Sequence, residues 1–211
     1  MTKPILYDYW RSSASYRVRI ALGLKGVDYE PREVNLVDGT QSGDDNRARN
    51  AQGFVPTLAI DGHELTQSLA IIDYLDATRP EPPLMPSDPL ARSHALARAL
   101  VVAADIHPLD NLRVLKYLKH ELGHDQDEVD TWYRHWIEQG FIALEAMAPD
   151  SGYLGGDAPD LSDICLVPQM YNARRFETDL APYPKLVRID AALNQLPAFA
   201  AATPEAAKPK D

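Results

Sequence analysis

The sequence contains little cysteine, no long apolar run and no excess of basic residues. Its 211 residues include a single cysteine, Cys165, which excludes an internal disulfide framework and a cysteine-rich metal site. No apolar run approaches the roughly 20 residues of a membrane-spanning helix, and no hydrophobic export signal is visible at the N-terminus. Lysine and arginine total 21 against 31 aspartates and glutamates, so the net charge of -10 argues against nucleic-acid binding. We therefore expect a soluble cytoplasmic protein without a metal, nucleic-acid or membrane partner.

The length and composition fit two modest domains. Apolar residues make up 45% of the chain and charged residues 25%, which is enough to bury a core. The N-terminal part alternates between strand and helix patterns in the order β-α-β-(α)-β-β-α. The dipeptide Asp61-Gly62 between two short apolar runs predicts a hairpin, because both residues tolerate positive φ. Strands are predicted at 5–10, 29–36, 57–60 and 63–66, helices at 16–25 and from Gln67-Ser68 to Arg79, and a loose helix or loop at 38–50.

A proline-rich linker separates this part from a helical one. Five of the ten residues from Pro80 to Pro89 are proline, which forbids a continuous helix and stiffens the chain. Beyond the linker, helical spacing recurs without a convincing strand, over residues 90–122, 129–147, 161–176 and 186–196. Asp160 to Asp163 is typical of an N-capping box, and the tail from Ala200 is expected to fray. The predicted domains are a mixed α/β domain over residues 1–82 and an all-helical domain over residues 89–211.

Polar residues at the starts of two predicted helices could bind an anionic ligand. Ser12 and Ser13 stand where hydroxyl groups and the positive end of a helix stabilise a thiolate or a carboxylate. Gln67 and Ser68 open the later helix, and their side chains suit the carboxylate and ammonium of an amino-acid head group. Helix capping is the simpler explanation at both places. Arg11, directly before the serines, could direct its guanidinium at a bound carboxylate.

Two further segments carry polar residues near a helix irregularity or a helix end. His107 and Asn111 are four residues apart and would share one face of a helix, which Pro108 would kink. A metal site is not expected there, because no second histidine or cysteine lies at ligand spacing. With Arg113 in the same stretch, the pattern favours an anionic ligand. Arg175 ends a predicted helix, where it either complements the helix C-terminus or faces inward.

Taken together, these segments resemble the zeta class of the glutathione transferase family, from Tyr7 to about Pro197. The resemblance is carried by Arg11-Ser12-Ser13-Ala14-Ser15-Tyr16-Arg17-Val18-Arg19-Ile20-Ala21-Leu22, by Gly53-Phe54-Val55-Pro56-Thr57-Leu58 with Gln67-Ser68-Leu69-Ala70-Ile71-Ile72, and by Asp105-Ile106-His107-Pro108-Leu109-Asp110-Asn111 with Leu166-Val167-Pro168-Gln169 and Arg175-Phe176. It implies the glutathione transferase fold, with a thioredoxin-like N-terminal domain and an all-helical C-terminal domain. It also implies a homodimer with glutathione as cofactor.

The resemblance implies a role for each matching residue. Ser12 and Ser13 would lie beside the sulfur of glutathione as catalytic residues, and Arg11 and Arg175 would bind the substrate. The peptide bond before Pro56 would be cis, so that Val55 presents its backbone to the cysteinyl part of glutathione. The remaining glutathione-binding residues would be Gln67 and Ser68 at the γ-glutamyl end, and Gln41, His107, Asn111 and Arg113 in the rest of the tripeptide site or the substrate pocket.

The sequence departs from the class signature at two positions. Ala14 stands where the signature has cysteine and Tyr16 where it has tryptophan, so a mechanism with that cysteine as nucleophile is excluded. The resemblance then implies that the thiolate of glutathione adds to the cis double bond of a small dicarboxylate, maleylacetoacetate first. The resulting single bond rotates, and elimination gives the trans product and unchanged glutathione. Maleylpyruvate as the substrate, a conjugating transferase of the same class and a non-catalytic glutathione-binding protein remain alternatives.

Overall fold

The computed structural model describes residues 3–36 and 43–209, which form two compact units. The first unit contains the described residues up to Leu84 together with those from Gln195 onward, and the second runs from Met85 to Asn194. The division differs from the predicted domains at the C-terminal end, because residues 195–209 belong to the first unit. The helical unit is therefore shorter than the predicted range of 89–211.

The first unit is built on a mixed sheet. Its elements are β1 (Ile5–Asp8), α1 (Ser13–Leu24), β2 (Glu30–Glu33), α2 (Asp44–Arg49), β3 (Thr57–Ile60), β4 (His63–Thr66) and α3 (Ser68–Thr78). The strand order is β2-β1-β3-β4, with β1 and β2 parallel and the other two pairs antiparallel. Leu6 of β1 and Leu58 of β3 are paired and fully buried. Ile20 of α1 is also fully buried, and α1 packs against α3. This order confirms the predicted succession of elements and is that of a thioredoxin-like domain.

The turn between β3 and β4 has the backbone that its sequence predicts. Asp61 and Gly62 have positive φ values of 53° and 83°, the conformation of a type I′ hairpin turn. The register pairs Thr57, the first residue of β3, with Thr66, the last residue of β4. The hairpin therefore places the residues before β3 beside the start of α3.

The second unit consists of helices and has no regular strand among its described residues. Its elements are α4 (Pro89–Leu100), a π-helical turn (Val101–Ile106), α5 (His107–Leu109), α6 (Leu112–His120), α7 (Gln126–Met147), α8 (Leu161–Arg175) and α9 (Pro184–Leu193). The continuous helical pattern over residues 90–122 is thus divided among four shorter segments. Within residues 3–36 and 43–209, no helix is both long and apolar enough to cross a membrane.

The division falls around Pro108 and changes the arrangement of two candidate residues. Because proline has no amide hydrogen, the α-helical hydrogen-bond ladder cannot continue there, and the π-helical turn ends at Ile106. Asn111 has an extended backbone, with φ -67° and ψ 142°, and its side chain accepts a hydrogen bond from the amide of Arg113. The prediction that His107 and Asn111 share one helical face is wrong, because asparagine, a favoured N-cap residue, begins α6 instead.

The C-terminal tail is ordered as far as it is described. It forms α10 (Pro197–Ala200) and α11 (Pro204–Ala207), and α10 packs against α1. Phe199 is fully buried, and the carbonyl of Ala202 accepts a hydrogen bond from Nε of Arg19 at 3.0 Å. The prediction that the tail frays from Ala200 is wrong for the described residues, because an aromatic side chain and a backbone carbonyl are both bound by the first unit.

Buried carboxylates close the N-terminus of α8. Oδ1 of Asp160 accepts a hydrogen bond from the amide of Ser162 at 2.7 Å. Asp163 is fully buried and accepts hydrogen bonds from the amides of Leu154 at 2.8 Å and Gly155 at 2.9 Å. It also accepts one from the amide of Asp160 at 3.0 Å. Burial raises the pKa of Asp163 to about 6, and the amide donors oppose that rise. The predicted capping box is confirmed.

Asp163→Ala should lower the free energy of unfolding by about 3 kcal/mol or more, since three amides lose their acceptor and each unsatisfied buried group costs roughly 1–3 kcal/mol. Asp157→Ala, at an exposed position in the same loop, is the matched control. It should change the free energy of unfolding by less than about 0.5 kcal/mol. Chemical denaturation followed by circular dichroism measures both variants, and equal losses would contradict the role of Asp163.

Candidate active site

The two candidate serines lie at the start of α1. Ser12 is the N-cap residue, with φ -67° and ψ 119°, and its Oγ accepts a hydrogen bond from the amide of Ser15 at 3.2 Å. Ser12 is half-buried, and Ser13 is 9% exposed. A serine hydroxyl has one hydrogen to donate and two acceptor lone pairs, so capping leaves the hydrogen of Ser12 able to bond a thiolate. The capping and ligand-binding interpretations of Ser12 are therefore compatible, and the positive end of α1 favours an anion there.

Arg11 is fixed by two aromatic side chains. Its Nη2 donates a hydrogen bond to the hydroxyl of Tyr9 at 3.2 Å, and its Cζ lies 4.7 Å from the centroid of the Trp10 ring. The carbonyl of Trp10 accepts a hydrogen bond from Nη2 of the buried Arg19 at 2.9 Å. Arg11 is exposed, and this fixed position next to Ser12 in the chain suits the binding of a carboxylate. Tyr9 and Trp10 are not among the predicted site residues, although an aromatic pair directly before an arginine is a signal for such support.

The loop before β3 carries the predicted cis proline. The Val55–Pro56 peptide bond is cis, which confirms that prediction. The carbonyl of Phe54 accepts hydrogen bonds from Nδ2 of Asn50 at 3.1 Å and Nδ2 of Asn46 at 3.4 Å. These amide side chains fix the loop, in which Val55 is half-buried. The contact between Val55 and the cysteinyl part of a ligand stays a prediction.

Gln67 and Ser68 begin α3 beside this loop, at the same end of the β3–β4 hairpin. Gln67 has a positive φ of 67°, and its Nε2 donates a hydrogen bond to Oε1 of Gln52 at 2.6 Å. Ser68 is buried, and its Oγ accepts a hydrogen bond from Nη1 of Arg17 at 3.0 Å. This bond joins α1 to α3, so the two predicted helix starts belong to one hydrogen-bonded structure.

The N-terminus of α3 has no side-chain cap among the described residues. Amides in the first turn of a helix have no partner within the helix, and they bind carboxylates readily. Arg17 is 2% exposed and adds a positive charge beside Ser68. The arrangement therefore suits a carboxylate, such as the one at the γ-glutamyl end of glutathione. Arg17 is not among the predicted site residues, because its place inside α1 predicts only a helical residue.

Three other predicted residues lie close together in the sequence of the second unit. His107 is half-buried in α5, Asn111 caps α6, and Arg113 is exposed in the first turn of α6. Gln41 lies outside the described residues. In the described part of the chain, no group of three or more histidine, cysteine, aspartate or glutamate side chains could hold a metal ion. The glutathione-binding roles of these residues stay predictions, and the capping bond gives Asn111 a structural role as well.

Arg175 is the last residue of α8 and is exposed. Its Cζ lies 4.4 Å from the centroid of the Phe176 ring. The preceding Arg174 has a different partner, since its Nη2 lies 2.6 Å from Oδ2 of the buried Asp190. A carboxylate thus neutralises Arg174, whereas an aromatic ring supports Arg175. This difference fits the prediction that Arg175 binds an anionic substrate.

Asp110 is a buried carboxyl group that the predicted site does not include. It is 6% exposed, and neither of its carboxyl oxygens has a hydrogen-bond partner among the described residues. Burial raises its pKa to about 8, because a charged carboxylate loses its hydration there. At neutral pH the group therefore keeps its proton. The polar residues on either side of Asp110 in the sequence give no local signal that its carboxyl group is buried.

Comparisons with known proteins agree with this fold. Residues 6–83 match the family model described as the glutathione S-transferase N-terminal domain. The chain is 49% identical to a probable maleylacetoacetate isomerase of Vibrio cholerae, with 97% of each chain covered.

Two solved structures are similar along nearly the whole chain. One is the holo structure of a maleylpyruvate isomerase, a bacterial glutathione S-transferase in the zeta class. It has a TM-score of 0.95 and 44% identity and covers 98% of this chain and 99% of its own. The other is a maleylacetoacetate isomerase of Anaeromyxobacter dehalogenans 2CP-1 with dicarboxyethyl glutathione and citrate bound in its active site. It has a TM-score of 0.87 and 42% identity and covers 99% of this chain and 97% of its own.

The fold and these similarities define a glutathione transferase. The chain belongs to the zeta class of that family, together with proteins named maleylacetoacetate isomerase and maleylpyruvate isomerase.

The free energy of unfolding of the unchanged protein should fall as the pH rises from about 4 to about 8. Asp110→Asn should abolish this fall. The native state keeps the proton on Asp110 up to about pH 8, whereas the unfolded chain releases it near pH 4. The native state thus binds more protons in this range, and the free energy of unfolding falls as the pH rises. The variant should be more stable by on the order of 5 kcal/mol at about pH 8 and equally stable near pH 4.

Denaturant unfolding at several pH values measures this difference. A constant difference between the two proteins across that pH range would contradict a raised pKa at Asp110.

Proposed function

We propose that this protein is a glutathione-dependent cis–trans isomerase that converts maleylacetoacetate to fumarylacetoacetate. One observation carries the proposal: the half-buried Ser12 hydroxyl stands at the positive end of α1, directly after an arginine that is fixed on an aromatic ring. The hydroxyl suits a thiolate, and the guanidinium suits one carboxylate of the substrate. The relatives named maleylacetoacetate isomerase support the same activity.

The described residues of the first unit fit glutathione. The free amides at the start of α3, with Arg17 beside Ser68, can bind the γ-glutamyl carboxylate. The Ser12 hydroxyl can donate its hydrogen to the sulfur in a hydrogen bond. We assign Ser12 and Ser13 to the sulfur, Val55 and Pro56 to the cysteinyl part, Gln67 and Ser68 to the γ-glutamyl end, and Gln41, His107, Asn111 and Arg113 to the remaining contacts.

The side chains then divide the chemistry among them. Glutathione, when bound, supplies a thiolate that adds reversibly to the cis double bond and is released unchanged. Ser12, with Ser13 as helper, donates a hydrogen bond to the sulfur, and together with the positive end of α1 it lowers the pKa of the thiol. Arg11 and Arg175 bind the two acidic ends of the substrate, and a cation near the substrate carbonyl stabilises the enolate that develops during addition. Such a local positive charge is needed because the net charge of -10 repels a dianion.

Maleylpyruvate is the second candidate substrate. The holo structure with a TM-score of 0.95 is named maleylpyruvate isomerase, and that substrate is also a cis enone with two acidic ends. The arginine pair fits either molecule.

We also propose that the protein is a cytoplasmic homodimer. Leu96 and Leu100 of α4 are four residues apart, so they share one helical face, and they are 40% and 38% exposed, an apolar surface that a second copy could cover. Sedimentation equilibrium should give twice the chain mass of 23.5 kDa, and a single-chain mass would reject the dimer.

Ser12→Ala should raise the pKa of the bound glutathione thiol by about one unit and lower kcat about tenfold at neutral pH, since a hydrogen bond to a charged group is worth roughly 1.5–3 kcal/mol. Ser12→Thr keeps both the cap acceptor and the donor hydrogen and should retain most of the activity. Ultraviolet titration of thiolate absorbance gives the pKa. If Ser12→Ala leaves that pKa unchanged, Ser12 does not bind the sulfur.

The purified protein should turn over maleylacetoacetate with a higher kcat/KM than maleylpyruvate, while the total concentration of free glutathione stays constant. Faster turnover of maleylpyruvate would reassign the substrate. Stoichiometric loss of glutathione would indicate a conjugating transferase, and no turnover at any glutathione concentration would indicate a binding protein.

A further inference from the structure

The guanidinium of Arg175 is fixed by an aromatic pair within the second unit. Its positive charge acts on the hydroxyl of Tyr133 and opposes the rise that burial causes in the pKa of that phenol, and its Cζ lies 4.4 Å from the centroid of the Phe176 ring. The rings of Tyr133 and Phe176 are stacked, with centroids 3.6 Å apart and planes inclined by 14°. One face of the arginine therefore lies on an aromatic pair, although Arg175 is exposed.

Tyr133 is itself held firmly. It is 3% exposed on α7, and the residues on either side of it bond to neighbouring segments. Nε1 of Trp132 donates a hydrogen bond to the carbonyl of Leu109 at 3.0 Å. Nη1 of Arg134 donates one to the carbonyl of Phe176 at 3.4 Å. α7 is thus joined both to α5 and to the end of α8, so the hydroxyl of Tyr133 has a fixed position.

The partners of Arg175 are neutral, and this property distinguishes it from Arg174. A phenol and an aromatic face orient a guanidinium without cancelling its charge, whereas Asp190 neutralises Arg174 at 2.6 Å. Burial raises the pKa of Tyr133, so its hydroxyl keeps its proton and stays uncharged. Asp110, the acidic group that acts electrostatically on Tyr133, keeps its proton at neutral pH because burial raises its pKa to about 8. The positive charge of Arg175 is therefore retained for a ligand.

We propose that Tyr133 is a positioning residue that presents the guanidinium of Arg175 to one carboxylate of the substrate. The proposal rests on the proposed function, in which Arg175 binds that carboxylate. Tyr133 does not touch the substrate in this account. Its hydroxyl and its ring restrict the rotamers of Arg175, so less freedom is lost when a carboxylate binds.

The test compares two ligands that differ only at the substrate end. S-(1,2-dicarboxyethyl)glutathione carries both the tripeptide and a dicarboxylate, and S-methylglutathione carries the tripeptide alone. Tyr133→Phe, which keeps the stacked ring, should weaken binding of the dicarboxyethyl ligand about three- to tenfold in calorimetry and leave the S-methyl ligand unchanged. It should raise KM for the substrate by a similar factor with little change in kcat.

A double-mutant cycle shows whether Tyr133 acts through Arg175. In an Arg175→Ala background, adding Tyr133→Phe should have no further effect on the dicarboxyethyl ligand. The matched control is Tyr183→Phe, a buried tyrosine whose hydroxyl bonds to the carbonyl of Glu138 at 3.4 Å. This control should bind both ligands normally.

Each other outcome has a distinct meaning. An effect of Tyr133→Phe that persists without Arg175, or an equal effect on both ligands, would overturn the positioning role. A loss of affinity in Arg175→Ala without any loss in Tyr133→Phe would overturn it while leaving the proposed function intact. If Arg175→Ala binds the dicarboxyethyl ligand normally, the assignment of Arg175 to the substrate fails and the inference fails with it. If the S-methyl ligand does not bind the unchanged protein, the proposed function itself fails.

Discussion

The buried guanidinium of Arg19 is the interaction on which the first unit depends. Arg19 is 3% exposed, and it donates hydrogen bonds to Oδ2 of Asp8 at 2.7 Å and to the carbonyl of Trp10 at 2.9 Å. It also donates one to the carbonyl of Ala202 at 3.0 Å. A buried charge is tolerated only when it is paired and hydrogen-bonded, and two separate segments of the chain, residues 8–10 and the C-terminal segment, supply these partners. The loop that leads to Ser12 is therefore fixed between β1 and the C-terminal segment, so the position of the proposed catalytic hydroxyl depends on a buried arginine outside the proposed site.

The helix N-termini show how the same local chemistry serves structure in one place and function in another. α8 begins with two buried carboxylates that satisfy its own amides and those of the preceding loop. α3 begins without a side-chain cap in the described part of the chain, beside the buried charge of Arg17. A closed helix start stabilises the fold, whereas an open one is suited to an anion. α1 combines the two, since Ser12 caps the helix and keeps one hydrogen to donate.

Sequence reasoning succeeds where neighbouring residues decide the structure. The Asp61-Gly62 turn, the order of strands and helices and the capping box of α8 all follow from local backbone preferences and hydrogen bonds. Local patterns fail near Pro108, because the sequence allows Asn111 either inside a continuous helix or as the N-cap of a new one. The interruption of the helical hydrogen bonds at Pro108 decides for the N-cap. Contacts between distant residues carry no local signal, as with the bond between Arg19 and Ala202, which are 183 residues apart. The burial of Asp110 and the support of Arg175 by Tyr133 belong to the same group, since each depends on how helices pack.

We infer that the start of α1 lowers the pKa of the thiol of bound glutathione. A crystal structure of the protein with glutathione bound tests it most directly. The account predicts that the sulfur lies within hydrogen-bonding distance of the hydroxyl of Ser12, while the γ-glutamyl carboxylate accepts hydrogen bonds from the first amides of α3. A sulfur directed away from both Ser12 and Ser13, with the tripeptide bound elsewhere, would contradict the account.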